Sequence, residues 1–306
     1  LVVVGGTLLA IMVLTVPLAA ANEVTDLLEG ARSSTYTATR LTVSVWGGES
    51  QVVRERVEHA DGAEMVRVDE TWSLVGNGRT VSMGESPSGL AFVTTAEPIQ
   101  TSRYTVGAIV DVVHMKRDCE LVPVLEGDMV RAHLVIDRRT GAPLISYLYD
   151  GDGDVFRQIS LSDFSPHRTY EWSGDPSEVA VEIVMHDDYV VVPGTIAGYQ
   201  LVDVFDGPAG SQQGYYSDGL FGFSLFSVPR GVALGGFDES MPFIAATGYY
   251  DMVPSASDVR LQWTSPDSQY VLVGDLPPDH LEQVLGELPE PDTASMLKKF
   301  WRRLFG

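Results

Sequence analysis

Tyr215–Phe226, YYSDGLFGFSLF, is the stretch on which the reading of this chain turns. Ser217-Asp218-Gly219 has the chemistry of a turn: Ser and Asp side chains bond to nearby backbone, and Gly accepts positive φ. Beyond it the side chains alternate. Phe221, Phe223 and Leu225 fall on one face and Leu220, Gly222, Ser224 and Phe226 on the other, which is the period of a strand. A second marked stretch, Gln269–Pro278 (QYVLVGDLPP), predicts a short buried strand stopped by Gly274 and by Pro277-Pro278, which cannot donate to a ladder. Neither stretch carries a nucleophile, an acid–base pair or a metal-ligand cluster. Both build surface rather than perform chemistry, and this points to a binding protein.

Outward from these stretches, strand signals dominate. Asn22–Ser33 predicts a short helix with Val24, Leu27, Leu28 and Ala31 on one face. Leu41, Val43 and Val45 then alternate with Thr42, Ser44 and Trp46. Val52–Val57, Met65–Val68, Trp72–Val75 and Arg79–Met83 follow, separated by Gly, Asn and Asp turns. Val106–Val113 fits a helix or a strand. Leu121–Leu125 and Arg131–Asp137 read as a hairpin, followed by strands over Leu144–Tyr149 and Val155–Phe164. Strands so spaced predict an antiparallel meander. Ser165–Pro176 has the composition of a linker. A second β-rich part then closes with a short helix over Asp279–Gly286, its Leu281, Val284 and Leu285 on one face. The fold class is therefore mainly β (α+β). Two domains are expected in the 306 residues, 22–164 and 178–288, joined by 165–177, with 1–21 before them and 289–306 after.

A net charge of −22 argues strongly against nucleic acid as a partner, because the phosphate backbone would be repelled. Leu1–Ala21 carries no charge and ends in Ala19-Ala20-Ala21, which suits signal-peptidase cleavage before Asn22; a retained anchor is the alternative. Both place the rest outside the cytoplasm. Cys119 has no cysteine to pair with and reads as a buried structural thiol. In the tail, Met296, Leu297, Phe300, Trp301, Leu304 and Phe305 share one half of a helical wheel, and Lys298, Lys299, Arg302 and Arg303 share the other. Such a helix lies in a membrane interface or docks on the acidic body or a partner.

Catalytic and metal motifs fail on inspection. HExxH, CxxC and GxSxG are absent, and Gly84–Gly89 lacks nucleophile-elbow spacing. Asp150, Asp152 and Asp154 begin like a calcium loop, but Val155 stands where Gly is needed and Leu161 where an acid is needed, so DGDGD reads as a hairpin turn. The six histidines show no ligand spacing. No enzyme activity, cofactor or metal is expected.

Several of these pieces, in this order, resemble the RseB/MucB family of periplasmic regulators of the sigma-E envelope-stress response. Cys119-Glu120-Leu121-Val122, the hairpin to Ile136-Asp137, and Pro143-Leu144 are similar to that family's strands closing its first domain. Asp150–Phe164 keeps a similar turn and final strand. Pro193–Tyr199 (PGTIAGY), Tyr216–Phe223 (YSDGLFGF) and Val273–Pro278 (VGDLPP) resemble its second domain. The resemblance spans roughly Asn22–Leu288. It implies a first domain like lipoprotein carriers of the LolA type, an unclosed antiparallel β-barrel with covering helices, and a smaller β-rich second domain. It also implies a negative regulator that binds the extracytoplasmic domain of a transmembrane anti-sigma factor and senses a lipid or acyl-chain ligand; a LolA-type lipid or lipoprotein carrier is the alternative. The basic tail and the −22 charge depart from the family pattern.

An apolar sheet face suits an acyl chain. Its candidates are Leu41, Val43, Val45, Val66, Val68, Leu134 and Ile136, with Trp46 and Trp72 at the rim; an ordinary covered core is the competing reading of most of them. Candidate partner anchors are Tyr216, Leu220, Phe221 and Phe223, and candidate membrane-surface residues are Phe300, Trp301, Lys298, Lys299, Arg302 and Arg303.

Overall fold

In a computed structural model, the structure describes residues 19–60, 63–68, 71–76, 79–84, 103–166, 193–206, 210–232, 234, 237 and 239–292, with the side chains of 19–22, 63, 68, 71–84 and 205 left aside. The tail residues Lys298, Lys299, Phe300, Trp301, Arg302 and Arg303 lie outside the described residues, as do 1–18 and 167–192. The expected linker 165–177 therefore falls outside the description, apart from its first two residues.

The first helix, α1 (Ala19–Ser33), leads into β1 (Tyr36–Trp46), β2 (Glu49–Ala60), β3 (Ala63–Val68), β4 (Thr71–Gly76) and β5 (Arg79–Gly84). After these come β6 (Tyr104–Val106), β7 (Val110–His114), β8 (Arg117–Glu126), β9 (Met129–Asp137), β10 (Pro143–Tyr149) and β11 (Val155–Pro166). All eleven form one antiparallel sheet in the order β5-β4-β3-β2-β1-β11-β10-β9-β8-β6, with β7 also paired to β8. Two meanders thus meet where β1 pairs with β11, residues more than a hundred positions apart (Val43 opposite Gln158). No ladder joins β5 to β6 or β7 among the described residues, so the sheet is unclosed. The ambiguous stretch Val106–Val113 is strand, not helix: β-branched residues suit an edge, and Gly107 turns the chain between β6 and β7 while its N–H bonds Pro123 O at 2.8 Å.

The second sheet has eight strands: β12 (Thr195–Ile196), β13 (Tyr199–Asp206), β14 (Gln212–Ser217), β15 (Gly222–Pro229), β16 (Met241–Ala245), β17 (Gly248–Pro254), β18 (Val259–Thr264) and β19 (Ser268–Gly274). Their order is β12-β13-β14-β15-β19-β18-β17-β16, and α2 (Pro278–Glu287) follows. Pro277 and Pro278 do more than stop β19. Pro278 supplies the fixed φ of a first helical turn, where its missing N–H costs no bond. Leu281, Val284 and Leu285 are wholly buried, as their spacing predicts, and His280 is buried beside them.

The larger of two apolar clusters among the described residues runs through both sheets. It takes Val24 from α1; Trp46, Val122, Leu134, Ile136 and Phe156 from the larger sheet; Tyr199, Tyr216, Phe223 and Leu272 from the smaller; and Leu281 and Val284 from α2. Cys119 is 1% exposed within a second cluster beside Val57, Val66 and Leu161, the buried thiol expected of it.

Candidate functional site at the seam between the sheets

The two stretches that stand out in the sequence are ladder neighbours. Phe223 in β15 lies opposite Gly274 in β19, and the Gly222 N–H donates to Asp275 Oδ1 at 2.7 Å while Asp275 N–H returns to Gly222 O at 3.1 Å. A Cβ on Gly274 would stand 2.5 Å from Phe223 Cβ, so this glycine is a close-approach residue at the last position of the strand.

Ser217-Asp218-Gly219 is the turn its chemistry predicts. Asp218 Oδ1 accepts from the N–H groups of Leu220 (3.1 Å) and Phe221 (2.9 Å), and Gly219 sits at φ 92°. The other oxygen of Asp218 faces the larger sheet. It accepts from the Tyr104 hydroxyl at 2.6 Å and lies 3.4 Å from the Arg103 guanidinium, with Asp218 only 4% exposed. Burial, reinforced by the Asp218 charge, pushes the Tyr104 phenol far above its ordinary range, which keeps it a donor.

Glu126, at the end of β8, is the hub of a second bridge. Its carboxylate accepts from Arg103 (2.9 Å), Arg131 (2.7 Å) and His280 Nε2 (3.0 Å). Arg131 continues to both oxygens of Asp279 in α2, at 3.2 and 2.7 Å. His280 Nδ1 faces the Tyr199 hydroxyl at 2.7 Å. Burial alone would raise the carboxyl of Glu126, but the hydrogen bonds from His280 and Arg131 outweigh it and hold the group at about 2.

Between these bridges the contact is aromatic. Trp46 meets Phe156 edge-on at 6.3 Å, Phe156 meets Phe221 at 6.1 Å, and Phe221 meets the His280 ring at 5.8 Å. Tyr199 and Tyr216 extend the row on either side of Phe223. Arg157 is buried against it, donating from Nη1 to Asp275 O at 3.1 Å, with Nε and Nη2 left without a partner. Burial lowers its affinity for a proton against the pull of Asp275.

The nominated partner anchors therefore sit inside the molecule. Tyr216, Phe221 and Phe223 are at most 1% exposed, and Leu220 is half-buried against the same core. In this structure they shape the seam and lie away from the surface. Apolar alternation identifies the buried face of a strand, but it does not distinguish a face covered by the same chain from one left for a partner.

The acyl-chain candidates do not form one site either. Cross-strand partners share a face, so Leu41, opposite Ser160, lies with Ile145 and Val135, while Val43 lies with Val52, Gln158 and Tyr147. Leu41 and Val45 are each 39% exposed on this face. Trp46, Leu134 and Ile136 alternate to the other face and are buried in the core shared with the smaller sheet, while Val66 belongs to the separate Cys119 cluster. Val68 and Trp72 are placed in β3 and β4, with side chains outside the description. Sequence reasoning missed Tyr104, Glu126, Arg131, Arg157 and His280, since isolated polar residues in strands and helices carry no local mark of a long-range partner.

Among the described residues no group of His, Cys, Asp or Glu is placed to hold a metal, and no helix is long and apolar enough to cross a membrane. No family model and no curated protein matches the chain. Among solved structures, it is similar to the Pseudomonas aeruginosa MucA/MucB complex, at 20% identity and a TM-score of 0.48 over 87% of this chain and 96% of that one. It is also similar to MucB in complex with MucA(peri), at 19% identity and a TM-score of 0.47 over 89% and 99%. A LolA superfamily protein from Nitrosomonas europaea aligns at 8% identity and a TM-score of 0.21 over 85% and 96%.

Proposed function

We propose that this chain is an extracytoplasmic regulatory binding protein that holds the extracytoplasmic domain of a transmembrane anti-sigma factor and responds to a lipidic ligand. One observation carries the reading. The stretches through which the sequence resembles the RseB/MucB family, YSDGLFGF and VGDLPP, are paired in one ladder and together contact the larger sheet through Asp218, Phe221 and Asp275. A seam made of charged and aromatic groups can be opened or closed by what binds beside it, and opening exposes the buried anchors Phe221 and Phe223. The half-exposed face bearing Leu41, Val43 and Val45 supports a lipid ligand.

The test is capture from a detergent-solubilised envelope of the source organism with the immobilised full chain, followed by lipid extraction of the same protein. Retrieval of a one-span anti-sigma protein supports the regulator. A stoichiometric lipid without any protein partner would replace it with a LolA-type carrier. The basic amphipathic tail adds a membrane-surface contact to this reading. Removing Met296–Gly306, with its four basic residues and no acid, then weakens sedimentation with anionic vesicles.

A further inference from the structure

The turn between β7 and β8 combines features not found together elsewhere among the described residues. Ile109, Val110, Val113 and Met115 are 51%, 53%, 74% and 44% exposed, a dense group of large apolar side chains in water within seven residues. Val110 and Val113 differ in parity, so they project from opposite faces of the strand. The strand's outer edge is unpaired among the described residues. Both tip residues have positive φ, Met115 at 52° and Lys116 at 59°, a conformation that Asn and Gly adopt with less strain. A long apolar and a cationic side chain are thus held at the tip against local backbone preference.

Directly beside the tip lies a cleft of about 420 Å³ lined by Lys116, Arg117, Asp118, Asp137, Arg138 and Arg139. Arg117 is neutralised by Asp137 at 2.8 Å, and Arg138 by Glu120 at 3.0 Å and by Asp111. Lys116 and Arg139 are exposed and form no ion pair among the described residues. Asp118 lines the cleft as well, so its six residues carry four cations against two carboxylates, a local excess in a chain of net charge −22. It lies at the opposite end of β8 and β9 from Glu126 and Arg131, which bridge to the smaller sheet and α2.

We propose that the β7–β8 hairpin is a membrane-docking tip: Val113 and Met115 enter the interface of an anionic bilayer, and Lys116 and Arg139 take a lipid phosphate in the adjoining cleft. A peptide-binding groove would present apolar groups on one side. Here Val113 and Met115 stand in water at the turn itself, Ile109 and Val110 follow at the other end of β7, and Lys116 and Arg139 lie beside the tip, an arrangement that suits a bilayer surface. The inference stands apart from the anti-sigma reading, because it uses no residue of the seam.

The test uses the full chain with a polarity-sensitive fluorophore at Val113→Cys; native Cys119 is 1% exposed and does not compete for label. Vesicles of phosphatidylcholine with phosphatidylglycerol should shift the emission to the blue, and pure phosphatidylcholine should not. The shift should be absent for a label at Ile244→Cys, which is 76% exposed on β16. Lys116→Glu with Arg139→Glu should weaken binding at least tenfold, from roughly fivefold per cation lost. Val113→Asp with Met115→Asp should do the same while leaving the unfolding transition in place, since both side chains are exposed. An unchanged emission at position 113 while the protein still sediments with anionic vesicles overturns the proposal, since the contact would then lie elsewhere. So does a saturable response to inorganic phosphate without vesicles that the Lys116→Glu, Arg139→Glu variant abolishes, which would make the cleft a soluble-anion site.

Discussion

The Tyr104 hydroxyl donates to Asp218 Oδ2 at 2.6 Å, and this bond ties the edge of the larger sheet to the turn that begins the most informative stretch of the smaller one. Asp218 serves both ends: one oxygen organises its own turn and the other faces Tyr104. Tyr104→Phe leaves the buried Oδ2 facing only Arg103 at 3.4 Å. We expect a loss of about 1–2 kcal/mol in urea unfolding. Asp218→Ala removes the turn bonds as well and should cost more than Tyr104→Phe; an equal loss would show that the turn bonds contribute nothing.

Glu126 links acid stability to the seam. Its carboxyl is held at about 2 in the fold against an ordinary 4.5. A carboxylate held low stabilises the fold above about pH 4.5, and that contribution disappears as the pH falls towards about 2. The stability of Glu126→Gln should therefore depend less on pH across this window than that of the parent. Parallel pH profiles in chemical unfolding would contradict the hub role of Glu126.

Arg157 is 2% exposed, yet among the described residues its guanidinium makes one hydrogen bond, a long 4.0 Å ion pair with Asp275 Oδ2 and a face contact with the Phe156 ring, and Nε and Nη2 have no acceptor. Desolvating a charge so weakly compensated is unfavourable. Arg157→Met keeps the volume and removes the charge, so the melting temperature should stay level or rise. Arg157→Ala leaves a cavity and should lower stability by about 2 kcal/mol or more. A large loss with Met would show that the charge itself holds the seam.

Two glycines test close approach against helix propensity. Gly274→Ala places a methyl group 2.5 Å from Phe223 Cβ and 2.7 Å from Gly222 O, and should cost about 1–3 kcal/mol. Gly286, within α2, has nothing within 4 Å of its would-be Cβ. Its replacement by Ala should stabilise by about 1 kcal/mol. Thermal unfolding of the pair should therefore move in opposite directions.

The strands over Leu121–Leu125, Arg131–Asp137 and Leu144–Tyr149, the Ser217–Gly219 turn and the helix after Pro277-Pro278 were legible because each is specified by neighbours in the chain: alternation, Asx chemistry and a fixed proline φ. The stretch Val106–Val113 was not, since its short apolar run fits two periods and Gly107 divides it. The acyl-chain candidates failed as a group for a related reason. Leu41 and Ile136 look equivalent in sequence, but the register across β1, β11, β10 and β9 places them on opposite faces.

By itself, then, the amino-acid order determined that this is an acidic, sheet-rich chain with two motif stretches and without the HExxH, CxxC or GxSxG motifs, because charge, side-chain period, turn chemistry and short motifs are local properties. Tertiary structure alone decided that Phe221 and Phe223 point inward, that Glu126 collects Arg103, Arg131 and His280, and that apolar and cationic side chains meet at the β7–β8 tip. Those outcomes depend on which strands pair, and pairing such as that of Val43 with Gln158 is settled by the burial it allows rather than by anything written beside either residue.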